Sequence, residues 1–300
     1  MSTVRRRRPR GAETAPTIIF LHIGKTAGLS LRMILRRQFP ASRVMDLRNP
    51  VTDRTRLRRE GANSYFAALP ESERARPRLI MGHATFGLHE HIPRPSTYVT
   101  LLRDPVSLNV SLYHYIRRTS NHVLHERMKD YPTLESFLQS GISLETDNSM
   151  TRAIAGDTST PFGGCTDEML AAAMEHVEAD FSLVGFTERF DESLLLLGRA
   201  FGWSSLFYVP VNVAGKRRPR ESIPARTVEL IRKQNRLDVE LFGWATRRFD
   251  DAIEADPTFG EDLRRFRASN RLYRSWGTLT YSWPKRAYDL VASRAGTSRP

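Results

Sequence analysis

Short apolar runs alternate along this chain with segments whose apolar residues recur at helical spacing. The runs are typical of buried strands, and the periodic segments are typical of amphipathic helices. The predicted strands are Thr17–Ile23, Arg43–Leu47, Arg78–Gly82, Tyr98–Arg103, Ser182–Phe186 and Ser205–Val211. The predicted helices are Ser30–Gln38, Pro105–Arg118, Leu134–Ser140, Asp167–Ala179, Glu188–Phe201 and Ala225–Phe249. This alternation predicts an α/β fold with a central parallel sheet flanked by helices.

Polar stretches divide the pattern into regions. Residues 50–77 are polar and Arg-rich and predict an insertion with short helices, whereas residues 141–166 predict a long loop. We predict a disordered basic tail over residues 1–15, one domain over 16–250, and a C-terminal helical extension over 251–300.

The composition points to an anionic partner. The net charge is +13, from 46 basic and 33 acidic residues, and such an excess favours a nucleotide, an acidic polymer or an acidic membrane surface. Nearly all of the basic residues are arginine, which also reflects composition bias. Lys25 is one of only five lysines. Cys165 is the only cysteine, so neither an internal disulfide nor a thiolate metal cluster can form.

The most informative segment is Thr17–Ser30, in which seven residues of strand character lead directly into Gly-Lys-Thr-Ala-Gly-Leu-Ser. An amphipathic helix follows at once. The N-terminus of such a helix presents free backbone N–H groups and the positive end of the helix dipole, which together bind anions. Lys25 adds a mobile positive charge and Ser30 a hydroxyl. The segment therefore predicts a site for phosphate or a similar oxyanion.

A second candidate anion site follows the predicted strand Tyr98–Arg103. Asp104 is a good N-cap, and Pro105 suits the first helical turn. Ser111 lies two helical turns past Asp104 on nearly the same face. Arg103 and Ser111 are therefore expected to converge on one anion, since the guanidinium fork suits phosphate. The alternative is that Arg103 pairs with a carboxylate beside an ordinary helix cap.

Five segments, in order over about residues 17–220, resemble blocks of the sulfotransferase family 2 enzymes, which include heparan sulfate 2-O-sulfotransferases and bacterial relatives. The segments are Phe20–Leu31, Leu102–Pro105 with Ser111 and Tyr113, Asn148–Gly156, Val184–Leu197 and Asn212–Pro219. Five blocks in register are a strong signal. The resemblance implies a P-loop-NTPase-like three-layer fold. It also implies transfer of sulfonate from 3′-phosphoadenylyl sulfate (PAPS) to an acceptor hydroxyl on a carbohydrate, in a glycan or a glycolipid.

The resemblance also implies roles for individual residues. The residues that would hold the 5′-phosphosulfate of PAPS are Gly24, Lys25, Thr26, Ala27, Gly28, Leu29 and Ser30. Backbone N–H groups and the hydroxyls of Thr26 and Ser30 would bind the phosphate, and Lys25 would stabilise the charge that builds on the leaving oxygen. Arg103 and Ser111 would bind the 3′-phosphate, with Arg217 in a loop that closes over the nucleotide. This mechanism requires no metal.

The chain departs from the family pattern at four positions. The family usually has proline where Gly24 stands, glycine at Ala27 and threonine at Leu29. Leu29 therefore lacks a hydroxyl that could contact the sulfonate or the 5′-phosphate. Leu108 stands where an arginine often follows the Arg-Asp-Pro motif. Backbone N–H groups remain, so we expect the site to be kept with an altered affinity.

A general base must take the proton of the acceptor hydroxyl, and His83 is the first candidate. It follows the predicted strand Arg78–Gly82, where the heparan enzymes of the family carry a catalytic histidine. Ligands of open α/β sheets bind outside the carboxyl ends of strands, which suits His83 and His22 equally. Imidazole titrates near neutral pH, as a base requires. His22 is the second candidate, and Glu188 is expected to orient a base, act as one or cap its helix.

Other functions remain as alternatives. A small-molecule kinase using ATP is suggested by Gly24-Lys25-Thr26, but the first glycine of a Walker A motif would fall at Ile19, inside the strand. A nucleic-acid partner is suggested by charge alone, without a recognisable motif. A metal site is suggested by His89-Glu-His91 and by His122-x-x-His125. Neither has the spacing of a known site, so both pairs are assigned to the surface or to a substrate cleft.

The same reasoning gives an expected location. No apolar run approaches the roughly 20 residues of a membrane-spanning helix, and the N-terminus has no apolar stretch typical of a secretory signal. We therefore expect a cytoplasmic bacterial enzyme, with contact to the inner membrane surface left open. The acceptor and the oligomeric state are not encoded in any pattern.

Overall fold

The computed structural model describes residues 15–47, 61–157, 159–209 and 223–280. Its strands are β1 (Thr17–Leu21), β2 (Val44–Asp46), β3 (Leu79–Gly82), β4 (Ser96–Leu102) and β5 (Phe181–Phe186). All neighbouring strands are parallel, in the order β2-β3-β1-β4-β5. The predicted fold class is therefore confirmed: a parallel sheet flanked by helices, consistent with a P-loop-like fold.

The helices of the described segments are α1 (Gly28–Arg36), α2 (Ala62–Ala67), α3 (Glu71–Ala75), α4 (Pro105–Arg118), α5 (Leu134–Gln139), α6 (Ser149–Ala155), α7 (Asp167–Asp180), α8 (Phe190–Phe201), α9 (Ala225–Gln234), α10 (Arg236–Glu254) and α11 (Phe259–Thr280). Single 3₁₀ turns cover Ala41–Arg43, Leu88–His91, Glu126–Asp130 and Leu144–Thr146. The short helices α2 and α3 lie in the predicted insertion, of which residues 50–60 are outside the described part.

The central strand β1 sets the position of the site. All five of its residues are buried, as expected for a strand covered on both faces. Phe20 pairs with Met81 of β3 on one side and with Val99 of β4 on the other. The chain runs from β1 towards β2 at one edge and later crosses from β3 to β4 on the opposite side. The direction in which the chain crosses the sheet therefore reverses at β1, and ligands of such sheets bind outside the carboxyl ends of the strands at this point.

One predicted strand is wrong over its described part. Residues 205–209 form no strand, and residues 210 and 211 lie outside the described part. The backbone of this segment hydrogen-bonds to side chains: Gln38 donates to the Ser205 carbonyl, and the Tyr208 N–H donates to Asn270. Because side chains satisfy these groups, the segment packs at the side of the core and does not extend the sheet.

Two further differences involve helices. The predicted helix Ala225–Phe249 is interrupted at Asn235, whose backbone leaves the helical region with φ −112° and ψ 40°. The predicted loop 141–166 contains α6, which follows Asn148 in the left-handed conformation at φ 50°. Both differences arise from one buried network of polar side chains, described below.

The C-terminal helix α11 packs on the main core. Phe259, Leu263 and Phe266 are at most 9% exposed and belong to the same apolar cluster as the sheet. Arg199 of α8 pairs with Asp262 at 2.7 Å. The domain boundary at residue 250 stays a prediction, and the tail predicted for residues 1–15 lies almost wholly outside the described part.

Candidate active site

The turn after β1 enters α1 through two residues in the left-handed backbone region. Lys25 has φ 64° and Ala27 has φ 61°, a conformation that is uncommon for residues with a side chain. The buried Thr26 hydroxyl donates to the Ile23 carbonyl oxygen at 2.9 Å and holds the turn from inside. No side chain in the described part of the chain caps the start of α1 at Gly28. The N–H groups of Gly28 and Leu29 therefore remain available to an oxyanion, whereas the Ser30 N–H donates to the Ala27 carbonyl oxygen at 3.1 Å.

The remaining predicted residues of the turn differ in exposure. Leu29 is 38% exposed, whereas Ser30 is 8% exposed at the start of α1. Leu29 has no hydroxyl, so it has only its backbone N–H to offer an anion. The Thr26 hydroxyl already donates its proton within the turn, which leaves the Thr26 backbone N–H as its candidate contact.

Gly28 is required by the close approach of His22. A Cβ atom at Gly28 would lie 1.9 Å from Nε2 of His22. His22 is buried and stacks between Phe20, at 5.3 Å between ring centroids, and His83, at 4.7 Å. The ring of His22 therefore has little room to move aside.

The substitution Gly28→Ala is expected to destabilise the fold by about 2–3 kcal/mol, because the added methyl group overpacks a rigid ring stack. Urea denaturation measures this change. The control is Gly260→Ala in α11, where a Cβ atom meets nothing within 4 Å and alanine favours the helix. A Gly28→Ala variant as stable as the wild type would contradict the assigned packing.

The positive charges of the site meet at Lys25. Its Nζ lies 3.9 Å from the centre of the Tyr115 ring on α4, a cation–π contact. Burial and the neighbouring cations Arg103 and Arg118 lower the pKa of Lys25 from 10.5 to about 8, and Glu145 partly opposes this shift. A bound anion would relieve the repulsion among these three cations.

Arg103, which follows β4, contacts the backbone of the turn. Its Nη1 donates to the Lys25 carbonyl oxygen at 2.8 Å, and its Nε lies 3.9 Å from Oε1 of Glu188. The same Glu188 oxygen accepts from the Asp104 N–H at 3.3 Å. Asp104 caps α4 as predicted, accepting from the Ser107 N–H at 2.8 Å. Arg103 thus lies beside the anion turn and also near a carboxylate.

Glu188 joins the ends of two neighbouring strands, since it follows β5 and contacts the residues after β4. Burial raises the pKa of Glu188, with hydrogen bonds and Arg103 acting in the opposite direction. Its helix α8 starts only at Phe190. The predicted capping role is therefore replaced by a bridge to Asp104.

The other residues predicted on α4 lie in different environments. Ser111 is partly exposed, and among the described residues no group hydrogen-bonds to its hydroxyl. Tyr113 is buried, and its hydroxyl donates to the Pro132 carbonyl oxygen at 2.5 Å. Tyr113 therefore belongs to a small core beneath the 119–132 segment. Arg217 lies outside the described residues.

His83 has the tautomer that a general base needs. It follows β3, and its Nδ1 lies 3.0 Å from the His22 carbonyl oxygen. Because a carbonyl oxygen only accepts, this contact assigns the proton to Nδ1 and the lone pair of the neutral ring to Nε2. The His83 side chain is exposed, whereas His22 is buried beneath Gly28. The geometry therefore favours His83 over His22 for contact with an acceptor.

A histidine from the 119–132 segment also reaches the site. His122 packs edge-on against Tyr115, at 5.6 Å between ring centroids. Burial, followed by His125 and Lys25, lowers the pKa of His122. The sequence placed His122 only at the surface or in a cleft, because its spacing to His125 did not fit a metal site.

Glu145 is the residue that the sequence analysis missed. It lies in the predicted loop, in the 3₁₀ turn Leu144–Thr146. A Cβ atom at Gly24 would lie 2.9 Å from Oε2 of Glu145, so this carboxylate covers the start of the anion turn. No local pattern indicates this contact, since 121 residues separate the two positions.

A buried polar network holds the segment that carries Glu145. The Asn148 side chain accepts hydrogen bonds from two N–H groups at the start of α10. In return, Asp238 of α10 accepts from the N–H groups of Met150 and Thr151 at the start of α6. Each helix therefore caps the N-terminus of the other, which fixes the position of both.

The histidines suggested as metal ligands have other contacts. His89 lies with its Nδ1 3.0 Å from the Tyr98 hydroxyl and its N–H 3.1 Å from the same oxygen. Within the described segments, no group of three or more His, Cys, Asp or Glu side chains is arranged to hold a metal ion.

The fold and the turn define the class of protein. A Gly-Lys-Thr turn between the central strand of a parallel sheet and the following helix is the anion site of P-loop-like α/β proteins. The model of the galactose-3-O-sulfotransferase family matches residues 2–275, and the chain belongs to this family.

Individual relatives agree with the family match. The chain is 28% identical over 245 residues to galactose-3-O-sulfotransferase 3 of Bos taurus, and 27% identical over 245 residues to that of Homo sapiens. These matches cover 75% of this chain and 55% and 54% of the relatives. Galactose-3-O-sulfotransferase 2 of Homo sapiens is 26% identical over 199 residues, covering 62% of this chain and 48% of the relative. The chain thus spans about half the length of the relatives it matches.

These comparisons refine two predictions. The resemblance to sulfotransferases is confirmed, but the matching family is not the heparan sulfate 2-O-sulfotransferase type. The expected cytoplasmic location, for which contact with the inner membrane was left open, is wrong, because the relatives are Golgi-type galactose sulfotransferases, which are not cytoplasmic. Across the described residues, no helix is both long enough and apolar enough to span a bilayer. The bacterial origin stays a prediction.

Proposed function

We propose that this protein transfers the sulfonate group of PAPS to a hydroxyl of a galactose-containing carbohydrate. The observation that carries the proposal is the uncapped start of α1 beside Lys25 and Arg103, where burial, followed by the neighbouring cations Arg103 and Arg118, lowers the pKa of Lys25. An anionic ligand stabilises such a site because it accepts hydrogen bonds from the N–H groups of the helix start and neutralises the neighbouring positive charges. The family match supports the reaction class, and the names of the relatives support galactose as the acceptor sugar.

The donor would be held at two phosphate sites. Backbone N–H groups of residues 24–30 would bind the 5′-phosphosulfate, with the Ser30 hydroxyl beside them. Arg103, which follows β4 and contacts the turn, would bind the 3′-phosphate together with Ser111 of α4, as the family resemblance implies. Arg217, in the segment that resembles the closing loop of the family, would complete the nucleotide site.

The proposed transfer step places negative charge on the leaving oxygen of the donor. The acceptor oxygen forms a bond to the sulfonate sulfur while the bond from sulfur to the 5′-phosphate oxygen breaks. That oxygen takes the electron pair of the breaking bond, and Lys25 stabilises its charge. Nε2 of His83 takes the proton of the acceptor hydroxyl. The chemistry of this step requires no metal.

The alternative of an ATP-dependent kinase is not supported by the comparisons. The first glycine of a Walker A motif would also fall at Ile19, which lies inside β1. Turnover of ATP with magnesium, and no preference for adenosine 3′,5′-bisphosphate (PAP), would favour the kinase.

Calorimetric titration with PAP tests the donor site. The wild type is expected to bind PAP more tightly than adenosine 5′-monophosphate, which lacks the 3′-phosphate. The substitution Arg103→Ala is expected to weaken PAP binding by about 10–100-fold, the effect of one or two charged hydrogen bonds. It should also remove most of the preference for PAP.

Arg271→Ala is the matched control, because Arg271 is exposed on α11 away from the turn. It should bind both nucleotides like the wild type. A wild-type protein that does not bind PAP would contradict the proposed function. An Arg103→Ala variant that keeps the full preference for PAP would reject Arg103 as the 3′-phosphate ligand.

A further inference from the structure

The carboxylate of Glu145 lies in an unusual place for a site that binds an anionic donor. Its Oε2 would be 2.9 Å from a Cβ atom at Gly24, the first residue of the anion turn. Its charge acts on Lys25, whose pKa it raises against the other influences. Glu145 thus places a carboxylate against the turn that is proposed to hold the 5′-phosphosulfate of the donor.

In the described part of the protein, no residue forms a hydrogen bond or an ion pair with the carboxylate of Glu145. Lys25 forms its cation–π contact with Tyr115 and no ion pair with Glu145 among the described ion pairs. No described residue donates a hydrogen bond to the Glu145 carboxylate. Residue Glu145 is exposed, while burial of its carboxyl group among the surrounding protein atoms raises the pKa of Glu145 and Lys25 opposes that shift. Its two oxygens are therefore free to accept hydrogen bonds from a ligand.

The backbone that carries Glu145 is rigidly held. The Glu145 N–H donates to the Ser143 hydroxyl at 3.2 Å, and the Asp147 carboxylate pairs with Arg152 at 2.5 Å in a buried salt bridge. The next residue, Asn148, caps α10. Such support is expected for a side chain that must be presented at a fixed position.

The sign of the charge decides what Glu145 can bind. A carboxylate beside the sulfonate of the donor weakens donor binding by charge repulsion. Its presence at this position is explained if the same carboxylate strengthens the binding of the acceptor. Hydroxyl groups of a sugar donate well to a carboxylate, and such hydrogen bonds are stronger than neutral ones. A second carboxylate on the acceptor would be repelled at the same place.

We infer that Glu145 binds the acceptor by accepting hydrogen bonds from sugar hydroxyls next to the reacting one, and that it selects an uncharged sugar over an acidic one. This inference rests on the proposed function and adds the residue that determines acceptor charge. Glu145 acts on binding and specificity, while His83 keeps the role of base.

The test combines two measurements on Glu145→Gln and Glu145→Ala. In both variants, the KM for methyl β-galactoside is expected to rise about 10–100-fold, the effect of losing a charged hydrogen bond. The Kd for PAP is expected to stay unchanged or to fall, because a negative charge beside the anion turn is removed. Turnover of methyl β-galacturonide relative to the galactoside is expected to rise at least several-fold.

The control is Glu126→Gln, which removes one negative charge from an exposed pair with Lys129 and should change none of these quantities. Weaker PAP binding in both Glu145 variants would indicate a merely structural role and overturn the inference. An unchanged KM for the galactoside would also overturn it. Failure of the wild type to bind PAP would reject the proposed function itself, which separates the two failures.

Discussion

Replacing Lys25 by alanine is expected to lower kcat by about 10²–10³-fold, the loss found when one group that stabilises a developing oxyanion is removed. The affinity for PAP should change far less, because backbone N–H groups and Arg103 remain. Transfer of labelled sulfonate from PAPS to a galactoside measures the first quantity, and calorimetry with PAP measures the second. The physical reason is that the charge on the leaving oxygen develops only in the transition state.

Lys129→Ala is the matched control, since Lys129 is exposed and pairs with Glu126, which is also exposed. It should have normal turnover. A Lys25→Ala variant with nearly normal kcat would remove Lys25 from its proposed role.

The lowered pKa of Lys25, about 8, gives a second measurement. The value of kcat/KM should fall as the pH rises above about 8, because the free enzyme then loses the Lys25 proton.

The second large effect is expected from Asp238→Ala, which should lower the free energy of unfolding by about 3 kcal/mol or more. Asp238 is 2% exposed and accepts from the Met150 N–H at 3.1 Å and from the Thr151 N–H and hydroxyl at 2.8 Å each. Alanine would leave these three buried donors without an acceptor, and each such loss costs about 1–3 kcal/mol. Urea denaturation measures the change.

Asp251→Ala is the control, because Asp251 is exposed on the same helix and its loss should change stability by less than about 0.5 kcal/mol.

Burial raises the pKa of Asp238 from 3.8 to about 6, and the hydrogen bonds that its carboxylate accepts oppose this shift. The folded state therefore retains a proton that the unfolded chain releases, and the stabilisation by Asp238 decreases as the pH rises through about 6. The difference between wild type and Asp238→Ala should be larger near pH 4 than near pH 7. Equal stability of the two proteins would contradict the capping network.

Local pattern was sufficient for much of the site. The strand, turn and helix around Lys25 were predicted from consecutive residues, because a strand followed by a Gly-Lys-Thr turn and an amphipathic helix needs no distant information. The cap at Asp104 and the helix Pro105–Arg118 were likewise predicted to the residue. The position of His83 at a strand end followed from the same rule for parallel sheets.

Distant contacts explain what was missed. The break at Asn235 has no helix-breaking residue of its own. It forms because the Asn235 side chain accepts from the Asn148 N–H at 2.9 Å, 87 residues away. α6 lies in a stretch rich in residues typical of loops, and Asp238 satisfies the N–H groups that a short isolated helix leaves unpaired.

The sequence by itself determined the α/β class and the strand, turn and helix around Lys25, since these depend on neighbouring residues. Its motifs carried the resemblance to sulfotransferases, and the two phosphate sites stay predictions. Tertiary structure decided which side chains surround Lys25. It brought Tyr115 under the ammonium group and Glu145 against Gly24. These contacts join elements far apart in the chain, and their formation depends on how buried polar groups find partners in the folded core.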